Sequence, residues 1–173
     1  MTISYETYGS MAGADEYFAH RLHEFAWTAA LPADRQKALL AATQIIEALN
    51  FKGRKHTVTV LFSANENATT TEIQAAEALQ SLEFPRGTDT EVPEAIERAC
   101  YEIAHSLLDG KDPERELESL AVTGNTYGAV KTTYERSQLP IEHLINLVPS
   151  SVAWRLLKPF LRDSDAIKLS RIS

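Results

Sequence analysis

The sequence predicts a mainly α-helical protein: a small helical bundle with an extended arm or loop at about 55–71, a short β-hairpin at about 120–134 and an extended C-terminal tail. Two observations favour this fold class. Apolar residues recur at intervals of three and four through several segments, which is the spacing of one helix face. Proline and glycine mostly stand at the ends of these segments, where helices begin and end.

Length and composition are those of an ordinary globular protein. The chain has 173 residues, of which 44% are hydrophobic and 24% charged, enough to bury a core without staples. Its single cysteine, Cys100, excludes an intramolecular disulfide and favours assembly in the cytosol. No stretch approaches the length of a membrane span and the N-terminus lacks a signal-peptide pattern, so we expect a soluble protein with no membrane partner.

Three helices are predicted with the clearest signals. The first covers about 12–30, with Ser10 as its N-cap and one apolar face made of Phe18, Leu22, Phe25 and Ala29. The second begins at Pro32 and the third at Pro93, because proline suits the first turn of a helix. The predicted core takes its residues from the second and third helices: Leu39, Ile46, Leu49, Ile96, Cys100, Ile103 and Leu107.

The segment after the second helix predicts the arm. Residues 56–62 read HTVTVLF, a β-branched and aromatic run typical of a strand or extended segment. A polar loop follows over 63–71, and Thr71 is the expected cap of a short helix over 72–82. In a lone chain this apolar run would be an exposed edge. We therefore expect it to bind a partner through four residues: Val58, Val60, Leu61 and Phe62.

The C-terminal third predicts shorter elements. A charged connection over 111–118 leads to the hairpin, whose strands are expected at 121–123 and 130–134, and a last helix covers 151–161. We expect one helical domain over 1–162, with an inserted loop at 51–92, and a tail over 163–173. The tail interleaves apolar and basic residues, which is typical of a segment that docks on a partner, although a frayed end explains it too. Its predicted partner-binding residues are Ile167, Lys168, Leu169, Arg171 and Ile172.

The search for a catalytic or metal site finds only weak candidates. His20 and His23 lie three apart on a predicted helix, but zinc needs further ligands, and ordinary exposed histidines explain the spacing. Cys100 and His105 share one helix and are expected to point apart. No glycine-rich phosphate loop is present. We therefore expect no enzyme activity, no cofactor and no metal.

Charge is unevenly distributed along the chain. The net charge is −7, which argues against a dedicated duplex-binding protein. Residues 151–173 nevertheless hold five basic and two acidic side chains. A second basic cluster, Lys52, Arg54 and Lys55, follows the aromatic Phe51, a combination that can follow a phosphate backbone and stack a base. These three basic residues are the candidate nucleic-acid contacts.

Four short motifs, in their order and spacing, resemble those of one family. They are ADEYF at 14–18, FKGR at 51–54, LEFPR at 82–86 and VPEA at 92–95. The chain is similar to tailed-phage proteins often labelled DnaT-like single-stranded DNA-binding proteins, which in turn resemble head-to-tail adaptor (connector or head-completion) proteins. The likeness spans about 8–162, and the departure is 55–71, which is longer and more strand-like than the family pattern.

The resemblance implies a structural role without a reaction. It implies a homo-oligomeric ring, usually dodecameric, that lies in the neck of the virion between the portal and the tail or nozzle proteins. Packaged DNA passes through the ring without sequence-specific binding, and assembly takes place in the host cytoplasm. The alternative is a single-stranded DNA-binding accessory protein of phage replication.

Overall fold

The computed structural model describes residues 6–121, 124–127, 130–133 and 142–162, with side chains described outside 120–141. Over these residues the protein is mainly helical, as predicted. The elements in chain order are α1 (Met11–Ala19), α2 (Phe25–Thr28), α3 (Pro32–Glu47), α4 (His56–Ala64), α5 (Thr70–Ala78), α6 (Glu94–Leu108), α7 (Pro113–Ala121), β1 (Gly124–Tyr127), β2 (Val130–Thr133), α8 (Glu142–Ile145), α9 (Ser151–Leu157) and a 3₁₀ turn (Lys158–Phe160).

The core forms where α6 packs against α3 on one side and α9 on another. The predicted core residues of α3 and α6 are confirmed: Leu39, Ile46, Ile96, Cys100 and Ile103 are all fully buried. The two remaining members of that set, Leu49 and Leu107, are partly buried and pack against the edge of the core. The helical spacing of apolar residues therefore located the centre of the molecule correctly.

The predicted helix starts are also confirmed. The Ser10 hydroxyl accepts a hydrogen bond from the Gly13 amide at 3.0 Å, which satisfies one of the free donors in the first turn of α1. Pro32 is the first residue of α3, and Pro93 immediately precedes α6. Gly110 follows α6 with φ of +79°, a left-handed conformation that commonly ends a helix and costs glycine least.

The prediction of one continuous helix over 12–30 is wrong, because the helix is interrupted in its middle. It divides into α1 and α2, and residues 20–24 between them are not helical. Arg21 turns inward to pair with Glu102, and His23 has φ of +61°, so the helical hydrogen-bond ladder cannot continue through this segment. The apolar face consequently breaks: Phe18 is buried, but Leu22 is 83% exposed and Phe25 is 78% exposed.

The predicted extended arm is also wrong, because 56–64 form helix α4. The Thr59 hydroxyl donates to the Lys55 carbonyl at 3.2 Å and the Ser63 hydroxyl to the Thr59 carbonyl at 3.0 Å, both four residues back. Packing of α4 against α5 outweighs the strand preference of its valines.

The polar loop that follows α4 is shorter than predicted, since α5 begins at Thr70. Thr69, rather than Thr71, caps α5 and forms a reciprocal capping box with Glu72. Beyond α6, the predicted charged connection contains α7.

The β-hairpin at about 120–134 is not supported as predicted, because Ala121 ends α7. The short strands described there are β1 and β2, which pair antiparallel. The C-terminal tail, 163–173, lies outside the described residues.

The last residues that the structure describes, 160–162, pair with the loop after α3 through backbone hydrogen bonds. Phe51 and Leu161 form an antiparallel bridge. The Lys52 amide donates to the Phe160 carbonyl at 2.8 Å, and the Arg162 amide donates to the Asn50 carbonyl at 2.9 Å. Among the described residues, no helix has both the length and the apolar character that a membrane crossing requires.

Candidate binding surfaces

An ion pair between a buried carboxylate and a partly exposed guanidinium holds the segment after α1 against α6. Glu102, on α6, is only 2% exposed. Arg21 donates to both of its carboxylate oxygens, with Nε 2.8 Å from Oε1 and Nη2 2.9 Å from Oε2. The Tyr17 hydroxyl donates to Oε1 at 2.7 Å. Burial, and then the carboxylate of Glu102, raise the pKa of Tyr17 to about 12. The phenol therefore stays protonated as the third donor to this carboxylate.

His105 lies one helical turn after Glu102 and beside the same arginine. Its Nε2 is 3.5 Å from Nη1 of Arg21, and its ring packs against Phe18 with a centroid distance of 5.4 Å. Burial lowers the pKa of His105, and the neighbouring guanidinium lowers it further. The imidazole is therefore held neutral within the fold.

A polar cleft of about 540 Å³ opens beside this cluster and is bordered by α2, α6 and the start of α9. Its lining includes His23, His105 and His143. Within the described part of the chain, however, no three histidine, cysteine or carboxylate side chains lie close enough together to hold a metal ion. His20 and His23, the candidate metal ligands, are both exposed.

Cys100 is a core residue, as predicted. Its Sγ lies 3.7 Å from the Leu39 carbonyl and 3.7 Å from the Thr43 hydroxyl, between α3 and α6. Burial raises the pKa of this thiol to about 12, so the nucleophilic thiolate is suppressed at neutral pH.

Two of the three candidate nucleic-acid contacts are exposed to solvent, and the third is not. Lys52 and Arg54 are exposed, and the Arg54 guanidinium lies over the Phe62 ring at 4.1 Å from its centroid. Lys55 instead turns inward, where Nζ donates to the Gln80 carbonyl at 3.1 Å. Arg162 joins the exposed set, because its backbone is hydrogen-bonded to the residue that precedes Phe51. Sequence reasoning missed this neighbour, since it lies more than a hundred positions away.

The residues predicted to bind partners through the arm are only partly accessible. Val58 is buried, and Leu61 and Phe62 are half-buried on α4. Val60 is 52% exposed and is the accessible member of the set. The tail residues Ile167, Lys168, Leu169, Arg171 and Ile172 lie outside the described residues.

Two apolar surfaces were not predicted. The first, which we name the knob, is the pair of exposed side chains beside the break between α1 and α2: Phe25, which borders the polar cleft, and Leu22, which borders a separate cleft between α1 and α6. The second is a groove of about 500 Å³ between α3, the end of α6 and α8, with no charged residue in its lining. The groove is lined mainly by Ile45, Ala48, Leu49, Leu107, Ile145 and Leu147.

Each of these surfaces contains a residue with an unusual backbone conformation. His23 in the knob segment has φ of +61° and Leu147 in the groove has φ of +56°. They are the two non-glycine residues with positive φ in the described part of the chain. The left-handed region is uncommon outside glycine, although asparagine, aspartate and histidine enter it more readily than other residues, and for a bulky residue such as Leu147 it is a strained conformation that is enriched at functional sites.

The chain matches no family model, and neither the curated proteins nor the solved structures contain a match to it. In the structure, residues of the four motifs that carry the family resemblance make contacts within the fold or begin a helix. Asp15 accepts hydrogen bonds from Trp27 and Arg35. Phe51 and Phe84 pack edge to face in the core, with centroids 4.7 Å apart. The motif at 92–95 begins α6.

Proposed function

We propose that this chain is a structural subunit of a tailed-phage head-to-tail connector, which forms a ring between portal and tail around the path of the DNA. The observation that carries the proposal is the exposure of large apolar side chains on a well-packed helical body. Leu22, Phe25, Leu79 and Ile145 are each more than 60% exposed. Ile145 lies in the uncharged groove between α3, the end of α6 and α8, and an exposed apolar groove is typical of a site that binds another protein.

The polar residues support a binding role over a catalytic one. Glu102 accepts hydrogen bonds from Arg21 and Tyr17 on both carboxylate oxygens. General acid–base chemistry needs a group that is free to exchange a proton with a substrate. The buried charges of this cluster are instead used to fix the segment after α1 against α6.

The net charge agrees with a channel that DNA passes through. With 24 acidic and 17 basic side chains, the surface is on balance repulsive to phosphate. Tight phosphate contacts would retain DNA, whereas an acidic wall allows it to slide.

The test is assembly with a portal. We expect the purified chain, mixed with portal rings, to form a stacked second ring that is visible by negative-stain electron microscopy. We also expect heads that lack the chain to fail to join tails until the purified protein is added. A protein that ignores portals and portal-bearing heads at all concentrations would contradict the proposal.

Single-stranded DNA binding in phage replication is the second candidate, and the exposed set of Lys52, Arg54 and Arg162 favours it. If it is correct, a labelled oligonucleotide should bind with an affinity that falls steeply as salt is raised. The double variant Lys52→Glu/Arg54→Glu should then lose binding. Lys37→Glu is the matched control, since Lys37 is an exposed lysine on α3, outside this set.

A further inference from the structure

We propose that Arg21, Glu102 and His105 form a pH-sensitive latch: when His105 takes up a proton, Glu102 exchanges Arg21 for His105, and residues 20–24 are released from α6. The latch is the set of contacts that these three side chains make with one another at neutral pH. The inference does not depend on the proposed function, because it concerns a change within a single chain.

Residues 20–24, which connect α1 to α2, are joined to α6 through one side chain. Arg21 donates to both carboxylate oxygens of Glu102, and its Nη1 lies 3.5 Å from Nε2 of His105. Within the described part of the chain, no other side chain of 20–24 is hydrogen-bonded to α6. Loss of the Arg21 contacts would therefore free this segment from the helix.

The contact between Arg21 and His105 requires a neutral imidazole. A neutral ring has one nitrogen that accepts a hydrogen bond from a guanidinium, but a protonated ring carries hydrogen on both nitrogens and accepts none. Protonation would also place two cationic groups 3.5 Å apart, and like charges disfavour each other at this distance. Burial, and then Arg21, accordingly lower the pKa of His105, whereas Glu102, the His23 carbonyl and Asp109 oppose the shift.

Arg21 is the member of the latch that can leave. Its side chain is 26% exposed and lines the polar cleft, so a released guanidinium reaches water. His105 is instead fixed within α6, where it is buried and its ring packs against Phe18. Glu102 lies three residues earlier on the same helix face, within reach of a protonated imidazole. The carboxylate therefore keeps a cationic partner after Arg21 has left.

The charges around the polar cleft favour a protonated His105 once Arg21 has moved away. Apart from the latch itself, α1 faces this cluster with Phe18 and with the Tyr17 hydroxyl, which donates to Glu102. Among the described residues, α2 and α9 add no charged or titratable group to the cleft lining. The lining does include the following groups from four parts of the chain: Arg21 and His23 between α1 and α2, Glu102 and Asp109 in α6 and at its end, Lys111 and Glu116 at α7, and His143 in α8.

The release is confined to 20–24, because the helices on either side have anchors of their own. Phe18 holds α1 in the core and is 1% exposed. Trp27 holds α2 in the core, and its Nε1 donates to Asp15 of α1 at 2.8 Å. Arg35 of α3 donates to the same carboxylate at 3.1 Å. Since none of the hydrogen bonds that hold α2 involves a histidine, protonation of an imidazole leaves them in place.

The latch has a definite direction. In the closed state the pKa of His105 lies below 6.5. In the open state this pKa is higher, because Arg21 is gone and the carboxylate of Glu102 remains. Protonation therefore favours the open state, and the equilibrium constant for opening rises about tenfold for each pH unit between the two pKa values. The latch is closed at neutral pH and opens as the pH falls.

NMR spectroscopy of the full chain, labelled with ¹⁵N and ¹³C, can follow the latch between pH 7.5 and pH 5. We expect the Cε1 proton of His105 and the backbone amides of 20–24 to shift with one common midpoint. The Nε proton of Arg21 is held by Glu102 in the closed state, so its signal should weaken over the same range. The amides of 39–46 in α3 should keep their protection from hydrogen exchange throughout.

Three variants assign the transition to one histidine. His105→Gln removes the imidazole, and residues 20–24 should then stay closed at pH 5. The matched controls remove the other two histidines of the cleft. They are His143→Gln and His23→Asn, the latter chosen because asparagine also enters the left-handed conformation that His23 adopts. Both controls should retain the wild-type transition. The wild-type titration decides the inference by itself if His105→Gln does not fold.

Four results would overturn the inference. In the first, His105 takes up its proton while the amides of 20–24 and the Arg21 signal stay unchanged, so the two are not coupled. In the second, His105 remains neutral down to pH 5. In the third, His105→Gln opens at the same pH as the wild type. In the last, α3 loses its protection together with 20–24, which would be unfolding of the whole molecule rather than release of one segment.

Discussion

Arg21 shows how one residue changes the course of the chain. Its guanidinium joins the segment after α1 to Glu102 on α6, with hydrogen bonds of 2.8 and 2.9 Å to the two carboxylate oxygens. This inward turn interrupts the first helix and leaves Leu22 exposed. The exposure of Leu22 is therefore a consequence of this ion pair, which means that the stability of the pair and the exposure of Leu22 are linked.

We predict that Arg21→Met destabilises the fold by about 3–5 kcal/mol, because it leaves the Glu102 carboxylate buried without its charged partner. Equilibrium urea unfolding measures the change. The matched control is Arg98→Met, which breaks a pair with Glu94 on the surface of the same helix. Exposed pairs contribute little, so the control should cost less than about 1 kcal/mol. Equal losses in the two variants would contradict the assigned role of Arg21.

The neutral state of His105 gives a pH dependence with a definite sign. Its pKa in the folded protein lies below 6.5, mainly because of burial, then because of Arg21; Glu102 and Asp109 oppose the shift, as does the His23 carbonyl. Below pH 6.5 the unfolded chain therefore binds a proton that the folded chain resists. Stability from this residue is present above pH 6.5 and is lost as the pH falls through that value toward the folded pKa.

We predict that His105→Gln reduces the loss of unfolding free energy between pH 7.5 and pH 5. Urea unfolding of the wild type and the variant at both pH values measures this. The control is His20→Gln, which removes an exposed histidine near the same segment. The idea fails if the two variants show the same pH dependence, since the effect would then not arise at His105.

At the scale of elements, local signals explain what the sequence could predict. Helix α6 has a proline before its first residue, acidic residues in its first turn and apolar residues at helical spacing, and all three agree. Helix α4 was missed because its β-branched residues favour a strand, while the contact that makes it helical comes from α5. Propensity is a weak guide wherever packing decides the outcome.

The binding surfaces could not be predicted for the same physical reason. The break that exposes the knob depends on Arg21 and Glu102, which are 81 positions apart. The groove requires Leu107 to meet residues of α3 and α8. Neither feature has a local pattern, since each side chain alone resembles an ordinary helix residue. The sequence predicts only part of the exposed basic set near Lys52, because Arg162 is brought beside it by backbone pairing between distant parts of the chain.

The helical pair α4 and α5 is expected to open more readily than the core. The main packing partner of α4 is α5, whereas α6 is packed against both α3 and α9. Local opening costs less where few buried contacts must be broken. Hydrogen–deuterium exchange should therefore show faster amide exchange in 56–78 than in 94–108. Equal protection of the two segments would contradict this prediction and would imply that α4 and α5 unfold only with the whole molecule.

At the scale of the whole molecule, the chain is acidic except near its C-terminal end, where Arg155, Lys158 and Arg162 belong to the folded body. Residues 1–150 contain 22 acidic and 12 basic side chains, and residues 151–173 contain two and five. The fold closes at Leu161 and Arg162, which pair with Phe51 and Asn50. The residues that complete the body thus end at Arg162, and the alternating apolar and basic side chains of 167–172 lie beyond it in the sequence. This closure of the backbone at Arg162 predicts that folding and partner binding can be separated by truncation.

We predict that a chain ending at Arg162 folds normally but no longer joins portal-bearing heads. The backbone pairs of Leu161 with Phe51 and of Arg162 with Asn50 are both kept in this chain. Its unfolding free energy should therefore lie within about 0.5 kcal/mol of the wild type. The matched control ends at Lys158, which removes Leu161 and also Phe160, whose ring packs edge-on against Phe84 at 5.6 Å. That shorter chain should be clearly less stable in urea. Attachment to heads is then measured by co-sedimentation with the chain ending at Arg162. If this chain sediments with the heads as well as the full-length protein does, the apolar and basic residues of the tail are not the anchor, and attachment must be assigned to the helical body.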